Sequence, residues 1–308
     1  MSKHHFKSEV VYVNGAYQPS DQASISVFDH GFLYGDGVFD TSFARHGWIF
    51  KLEEHLARLE RSLRAVALKL PLSIADLRLA TIETAARNGH RDAYIKIVVS
   101  RGVSAEPLMD PRNCTPTVVI FAREYISLAG AGAKTHGLVT KLTSLRRVNH
   151  DAIDARIKSL NYLNLVMARM EAFAAGCDEA LILDADGEVC EAPGYNVFAI
   201  IDGHVVTPER SILHGITRNT VLDLCLDLKI PSRIGRLAPY DLFNADEVFL
   251  SSTAGGLIPV VKIDGRLIGT GIPGQVLARI DARYEELLAQ GWHGTPIPGL
   301  VTGKKSQV

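Results

Sequence analysis

Four dipeptides, Asn14-Gly15, Asp186-Gly187, Asp202-Gly203 and Asp264-Gly265, each separate two short runs rich in β-branched and aromatic residues. Asn-Gly and Asp-Gly readily take the two positive-φ positions of a type I′ turn, whose twist matches that of antiparallel strands. A chain punctuated in this way commits much of its length to hairpins. The dipeptides follow no fixed period, so this is hairpin chemistry and not a repeat architecture. Stretches with three- and four-residue apolar spacing lie between the hairpins. The mixture predicts an α+β fold rather than an alternating parallel sheet.

In the first third, the run V-V-Y-V-N-G-A-Y reads as one hairpin, and Val38 to Ala44 with Trp48 to Phe50, across His46-Gly47, as a second. Helices are predicted over 52–68, where Leu52, Leu56, Leu59, Leu63 and Val66 recur, and over 74–87. Strands follow at 93–100 and 117–122. The small-residue stretch Ser127-Leu128-Ala129-Gly130-Ala131-Gly132 reads as a linker. The expected organisation is a small N-terminal α/β domain over 1–126, a linker at 127–134 and a large C-terminal domain over 135–308. In the second part, strands are expected at 138–142, 179–183, 189–190, 197–201, 205–207, 247–251, 257–263 and 267–268. Helices are expected over 160–175, with Ser159 as N-cap and Gly176 as stop, and over 216–228 and 276–288.

Composition removes several classes of function. A formal net charge of -1 without a basic cluster gives no expectation of nucleic acid or an anionic membrane as partner. No apolar run is long enough to span a bilayer, and the start, MSKHHFKSEV, has no apolar core of a secretion signal. Cys114, Cys177, Cys190 and Cys225 form no C-x-x-C pair, so they read as reduced, buried thiols of a cytoplasmic protein. No metal site is expected; His4-His5 alone is too short to argue one. The hydrolase signatures G-x-S-x-G, S-x-x-K and H-E-x-x-H are absent, and Gly35-Asp36-Gly37 lacks the third glycine of a dinucleotide fold.

Positive chemistry enters with Lys158, in R-I-K-S-L-N-Y-L-N-L, and Glu191, in E-V-C-E-A-P-G-Y-N-V-F. A lysine amine forms a Schiff base with an aldehyde cofactor. A carboxylate holds a pyridine nitrogen protonated and so makes that cofactor an electron sink. The two together describe pyridoxal 5'-phosphate chemistry. Read singly, each has a plainer meaning: a solvated lysine ahead of a helix, and a turn glutamate.

The segment I-K-S-L-N-Y-L-N-L resembles the cofactor-lysine segment of the fold-type IV, or class IV, pyridoxal-phosphate aminotransferases. That family includes branched-chain, D-amino acid and (R)-amine transaminases and aminodeoxychorismate lyase. Phe28 to Phe39, H-L-A-R-L at 55–59, D-E-A-L-I-L-D, E-A-P-G-Y-N-V-F, H-G-I-T-R at 214–218 and A-D-E-V-F-L-S-S-T-A-G-G at 245–256 carry the same resemblance in the family's order. It extends from Val11 to about Tyr284. It implies a two-domain fold of the D-amino acid and branched-chain aminotransferase type, a site between the domains and a homodimer.

For the cofactor, the resemblance implies Lys158 as Schiff-base lysine and proton shuttle, and Glu191 on the pyridine nitrogen. It further implies Tyr162 on the 3-oxygen, with Arg58, Asn196, Gly215, Ile216, Thr217 and Thr253 around it. A helix opening at Gly215-Ile216-Thr217 makes physical sense as a phosphate site, because a helix start presents unpaired N–H groups. Arg58 taken alone, among Glu54, Glu60 and Arg61, reads as an exposed helix charge. Tyr162 taken alone reads equally well as a core aromatic.

Substrate residues implied by the family are Tyr34, Phe39, Thr41, Tyr94, Lys96, Thr253, Ala254 and Gly255. Tyr34, Phe39 and Tyr94 match the branched-chain pattern, as does D-P-R-N-C at 110–114. The first expectation is therefore a transaminase moving an amino group between an aliphatic L-amino acid, or a primary amine, and a 2-oxo acid in ping-pong half-reactions. Three departures keep alternatives open. Lys96 stands where the branched-chain enzymes carry arginine, Asp40-Thr41 replaces Glu-Gly, and T-A-G-G replaces T-A-A-E. T-A-G-G is similar to many (R)-amine transaminases, a D-amino acid enzyme is a further alternative, and Thr41 with Lys96 resembles the lyase.

Overall fold

A computed structural model of the chain describes residues 9–106, 109–127, 130 and 132–301. Contacts divide it into two compact units. The first comprises 9–126, 158–161 and 288–301, and the second 127–157 and 162–287. Two short pieces thus fall outside the boundary expected from sequence: 158–161 and the C-terminal end both belong with the first unit. Residues 128, 129 and 131 of the expected linker, and His4 and His5, lie outside the described residues.

In the first unit, β1 (Val10–Val13) and β2 (Ala16–Pro19) are joined through Asn14 and Gly15 at φ 47° and 96°. A short helix, α1 (His30–Tyr34), opens where Asp29 accepts a hydrogen bond from Gly31 N at 2.7 Å. Then come β3 (Gly37–Arg45), β4 (Trp48–Phe50), α2 (Leu52–Ala65), α3 (Ile74–Asn88), β5 (Ala93–Ser104) and β6 (Cys114–Glu124). The strands form one antiparallel sheet in the order β4-β3-β5-β6-β1-β2, and a strand from the far end of the chain, Gly294–Pro296, lies beyond β4. That edge strand carried no recognisable signal. Leu52, Leu56, Leu59 and Leu63 bury one face of α2, as their spacing predicts. The helix stops at Ala65 and not Leu68, because Ala67 turns to φ 49° and Leu68 N bonds back to Leu63 O.

The second unit contains α4 (Ala133–His136), β7 (Leu138–Arg146), α5 (Leu163–Ala174), β8 (Glu179–Leu183), β9 (Val189–Ala192), β10 (Tyr195–Ile201) and β11 (His204–Pro208). It continues with α6 (Ile216–Asp227), β12 (Ser232–Gly235), α7 (Pro239–Phe243), β13 (Glu247–Ser252), β14 (Gly256–Ile263), β15 (Arg266–Leu267) and α8 (Gln275–Ala289). The sheet order is β12-β11-β10-β13-β14-β7-β8-β9, and a further β9–β10 pairing closes a ring of strands. Most pairings are antiparallel, but β14–β7, β7–β8 and β11–β12 are parallel. The parallel β7–β8 step is the one bridged by α5, as a crossover requires. Inward residues including Leu181, Val197, Leu250 and Ile258 fill the ring. The α+β class stands. No helix among the described residues is long and apolar enough to cross a membrane.

One element starts later than expected. The helix predicted from 160 begins at Leu163 with Tyr162, not Ser159, at its N-cap. The backbone of 158–160 is already engaged elsewhere: Phe39 N donates to Lys158 O and Leu160 N to Gly37 O, both at 2.9 Å, and Ser159 bridges Val38. A segment that lends its N–H and C=O groups to a strand cannot also form a first helical turn.

Candidate active site

In the first unit, Lys158 is fixed by its main chain. Its carbonyl accepts from Phe39, and its N–H donates to Ser62 Oγ at 3.2 Å on α2. The side chain, half-buried, places Nζ 4.7 Å from the centroid of the buried Phe39 ring. Lys96 Nζ lies 4.2 Å from the same centroid. Strand register explains the meeting: Phe39 pairs with Val98 and Thr41 with Lys96, so Phe39, Thr41, Lys96 and Tyr94 alternate onto one face. Burial lowers the pKa of Lys96, and the Lys158 charge lowers it further. Tyr34 ends α1, exposed, with its ring edge-on to His30.

The opposite face of β3 presents Asp40. Its carboxylate accepts from Arg58 Nε and Nη2 at 2.8 Å each, from its neighbour Thr41 N at 2.7 Å, and lies 2.7 Å from His55 Nδ1. Arg58 is buried, which corrects its reading as an exposed helix charge. The signal was available: His55, Arg58 and Ser62 recur at helical spacing and form a polar stripe beside the leucines of α2. Burial alone would raise the Asp40 pKa, but Arg58 and His55 outweigh it and hold the carboxyl well below the usual carboxylate range. Burial lowers the pKa of His55 despite Asp40, so the ring is neutral and Nδ1–H donates to the carboxylate. Its Nε2 is then a buried acceptor with no hydrogen-bond partner among the described residues.

In the second unit, Glu191 is buried on β9. Arg147 Nε donates to Oε1 at 2.7 Å and Leu213 N to Oε2 at 2.9 Å. Arg147 follows β7 and had no distinguishing signal. Tyr162, at the start of α5, is partly buried against Leu165, Ala168 and their neighbours, so its core role is met by the geometry. Asn196 Nδ2 donates to Leu213 O at 2.8 Å. It thereby ties the loop carrying Leu213 and Gly215 to β10.

Helix α6 opens at Ile216 with Gly215 as an N-cap that offers no side chain. Its first N–H groups are therefore uncapped by the protein's own N-cap. A Cβ on Gly215 would lie 2.0 Å from Asn196 Oδ1, so only glycine fits there. Thr217 Oγ1 is buried with no hydrogen-bond partner among the described residues, and so are Ser251 Oγ and Ser252 Oγ. Buried polar atoms in native proteins are nearly always satisfied, so such hydroxyls await a ligand or water. A bare helix start beside an unsatisfied hydroxyl fits a phosphate group. Arg218, the last residue of H-G-I-T-R, points away and donates to Pro208 O and Thr207 Oγ1. Ala254 is buried, and Gly255 packs so closely on Tyr195 that an added Cβ would meet its ring at 2.7 Å. Thr253 is partly exposed.

Comparison of the whole chain with known proteins points to one family. The model for amino-transferase class IV matches residues 37–263. A protein of Methanocaldococcus jannaschii, provisionally named a branched-chain-amino-acid aminotransferase, is 39% identical over 280 residues, covering 90% of this chain and 96% of its own. The crystal structure of the Escherichia coli branched-chain amino acid aminotransferase superposes with a TM-score of 0.89 at 30% identity, over 92% of this chain and 95% of that one. The T.th. branched-chain amino acid aminotransferase complexed with N-(5'-phosphopyridoxyl)-L-glutamate superposes with a TM-score of 0.88 at 33% identity, over 94% and 99%.

Proposed function

Since the chain belongs to the class IV aminotransferases, we propose that it moves an amino group between a branched-chain or other aliphatic L-amino acid and a 2-oxo acid. Its cofactor is pyridoxal 5'-phosphate. When bound, that group supplies an aldehyde to take up the amino nitrogen and a pyridine ring to accept electron density from the substrate Cα.

The protein's own side chains divide the remaining work. Lys158 would hold the cofactor through its amine and, once freed, would carry the proton that leaves the substrate Cα. Glu191, held by Arg147 and Leu213 N, would meet the pyridine nitrogen and keep a proton on it. Tyr162 donates to the 3-oxygen. Gly215, Ile216 and Thr217 hold the phosphate through backbone N–H groups and a hydroxyl, with Asn196 shaping the loop and Arg58 and Thr253 completing the set. Phe39, Tyr34 and Tyr94 offer aromatic walls to an aliphatic side chain, and the turn Thr253-Ala254-Gly255 adds a small-residue edge. Lys96, with Thr41 opposite it, takes the substrate carboxylate. One observation carries the reading: the Lys158 amine, on a segment pinned by hydrogen bonds to β3 and α2, lies against the buried Phe39 ring.

We propose further that the enzyme is a cytoplasmic homodimer. All four cysteines are free thiols. Val27, Phe28 and Phe32 in the first unit are more than 60% exposed, as are Leu163 and Met170 along one face of α5 in the second. A second copy of the chain is the occupant that would cover them.

A half-reaction screen tests the function. The purified, cofactor-loaded protein is mixed separately with L-leucine, L-glutamate, D-alanine and (R)-1-phenylethylamine, and conversion of the cofactor aldehyde to its amine form is followed by absorbance. Rapid conversion with L-leucine and L-glutamate is the expected result. Conversion only with D-alanine or the (R)-amine would overturn the substrate assignment, and release of an aromatic amine from aminodeoxychorismate would favour a lyase. Wild-type turnover by Lys158→Ala would overturn the whole scheme.

A further inference from the structure

Helix α1 is only five residues long, too short to hold its own shape in water, so its place is set by what grips its ends. The grip comes from two consecutive residues of β5. Ser100 Oγ donates to Oδ2 of the buried N-cap Asp29 at 2.9 Å. Arg101 Nε donates to Oδ2 of Asp36, the residue after the C-cap Gly35. We infer that Arg101 is a positioning residue for substrate selection. Through Asp36 it fixes the end of α1, and with it the Tyr34 ring against which branched aliphatic side chains are distinguished from small ones. The inference rests on the reading that Tyr34 walls an amino-acid pocket.

The two ends of α1 are held differently. At the start the helix lies directly on β5, where a Cβ on Gly31 would meet Ser100 Cβ at 2.6 Å. The far end packs less closely: a Cβ on Gly35 would find its nearest neighbours in the Asn161 amide, from 3.1 Å. Polar ties hold this end. Asn161 Nδ2 donates to Gly35 O and Arg101 N to Asp36 O, both at 3.0 Å, and the Arg101 guanidinium takes the Asp36 carboxylate. The guanidinium is itself anchored just past the end of α2, with Nη2 on Val66 O at 2.8 Å and Nη1 on Ala67 O at 3.3 Å. Its side chain is only 13% exposed, so salt and water screen the pair poorly. The main chain of Asp36 has no need of that carboxylate. Its N–H already donates to His30 O, and its C=O accepts from Arg101 N. What the ion pair adds is a fixed place for the turn. Tyr34, just before Gly35, is exposed and meets His30 edge-on with 5.0 Å between ring centroids, so its position follows that of the helix end.

The test compares kcat/KM for L-leucine and L-alanine in the cofactor-loaded wild type, Arg101→Gln, Arg101→Lys and Asp36→Asn proteins. The ratio of the two values does not depend on how much of the protein is folded. It should fall about three- to tenfold in Arg101→Gln and Asp36→Asn, through a higher KM for leucine at nearly unchanged kcat, and recover in part in Arg101→Lys. By calorimetry, the dissociation constant for 4-methylpentanoate should rise by the same factor, and that for propanoate should not move. In a Tyr34→Ala background, Arg101→Gln should change the ratio less than about twofold, because residues that act through one another are not additive. Unchanged ratios in Arg101→Gln and Asp36→Asn, or the full drop persisting beside Tyr34→Ala, would overturn the inference and leave the transaminase reading intact. Should Arg101→Gln not fold, Asp36→Asn, which keeps the shape of the side chain, decides alone. A wild type that turns over no amino acid would overturn the transaminase reading, and the calorimetric comparison would still decide the role of Arg101.

Discussion

Asp40 and Arg58 meet fork to fork, with Nε on Oδ2 and Nη2 on Oδ1, both at 2.8 Å, in a place where neither side chain is more than 6% exposed. A bidentate pair of this kind fixes the guanidinium plane as well as its charge. Asp40→Asn removes the anion and leaves the arginine charged, because its pKa is too high for it to neutralise. Breaking one side of a buried pair costs about 3–5 kcal/mol. Urea unfolding of the cofactor-free variant should show a loss of that order. A loss below about 1 kcal/mol would mean that Arg58 has another adequate anchor.

The same cluster sets a pH dependence. The folded-state pKa of His55 lies below its ordinary 6.5 because burial disfavours the imidazolium. As pH falls through 6.5, the unfolded chain takes up a proton that the folded chain refuses, so stability declines from that point downward. Asp40 acts lower on the scale. Its folded pKa is depressed below the ordinary 3.8, so its contribution is full above that value and is lost as pH falls through the folded one. His55→Gln should flatten the stability curve between about pH 7 and 5 by at most ~1.4 kcal/mol per pH unit and leave the loss below pH 4 in place. Urea midpoints of the two proteins across that range give the difference directly.

These residues also mark where the sequence could be read and where it could not. The turns at Asn14-Gly15 and Asp264-Gly265 were legible because positive φ is a local demand that few residues meet, and each takes the expected conformation. The leucine face of α2 was legible for a similar reason of period. The start of α5 was not: the backbone of 158–160 is claimed by β3, a partner over a hundred residues earlier. Lys158 and Glu191 stood out through the segments that carry them. Their supports did not. Ser62 reaches Lys158 across 96 residues and Arg147 reaches Glu191 across 44, distances that only the folded register closes.

Gly215 offers a steric prediction free of backbone strain. Its φ of −67° suits any residue, so the obstacle to a side chain is steric, chiefly the 2.0 Å approach to Asn196 Oδ1. Gly215→Ala should push the loop off β10 and raise the dissociation constant for pyridoxal 5'-phosphate at least about tenfold, or ~1.4 kcal/mol. Adding Asn196→Ser should recover part of that loss by making room. Fluorescence titration of the cofactor-free proteins measures both. Equal affinity in Gly215→Ala and wild type would detach this loop from the phosphate.

Arg147 is expected to act on the cofactor through Glu191. Oε1 of the glutamate accepts from Arg147 Nε at 2.7 Å, with the arginine side chain only 12% exposed. A charge-assisted hydrogen bond in such a place contributes about 1.5–3 kcal/mol. Arg147→Met removes it and leaves Glu191 buried with Leu213 N as its remaining donor of the two. The carboxylate is then held by one fewer donor and is less firmly aimed at the pyridine nitrogen. Turnover should fall about 10–100-fold if the whole contribution is expressed in the transition state. Glu191→Gln should fall further while still retaining the cofactor, since the amide cannot stabilise a charged ring nitrogen. The decisive comparison is with Arg147→Lys, which keeps a charged donor near the carboxylate and should recover part of the lost rate. Equal rates in Arg147→Lys and Arg147→Met would reduce Arg147 to a packing role.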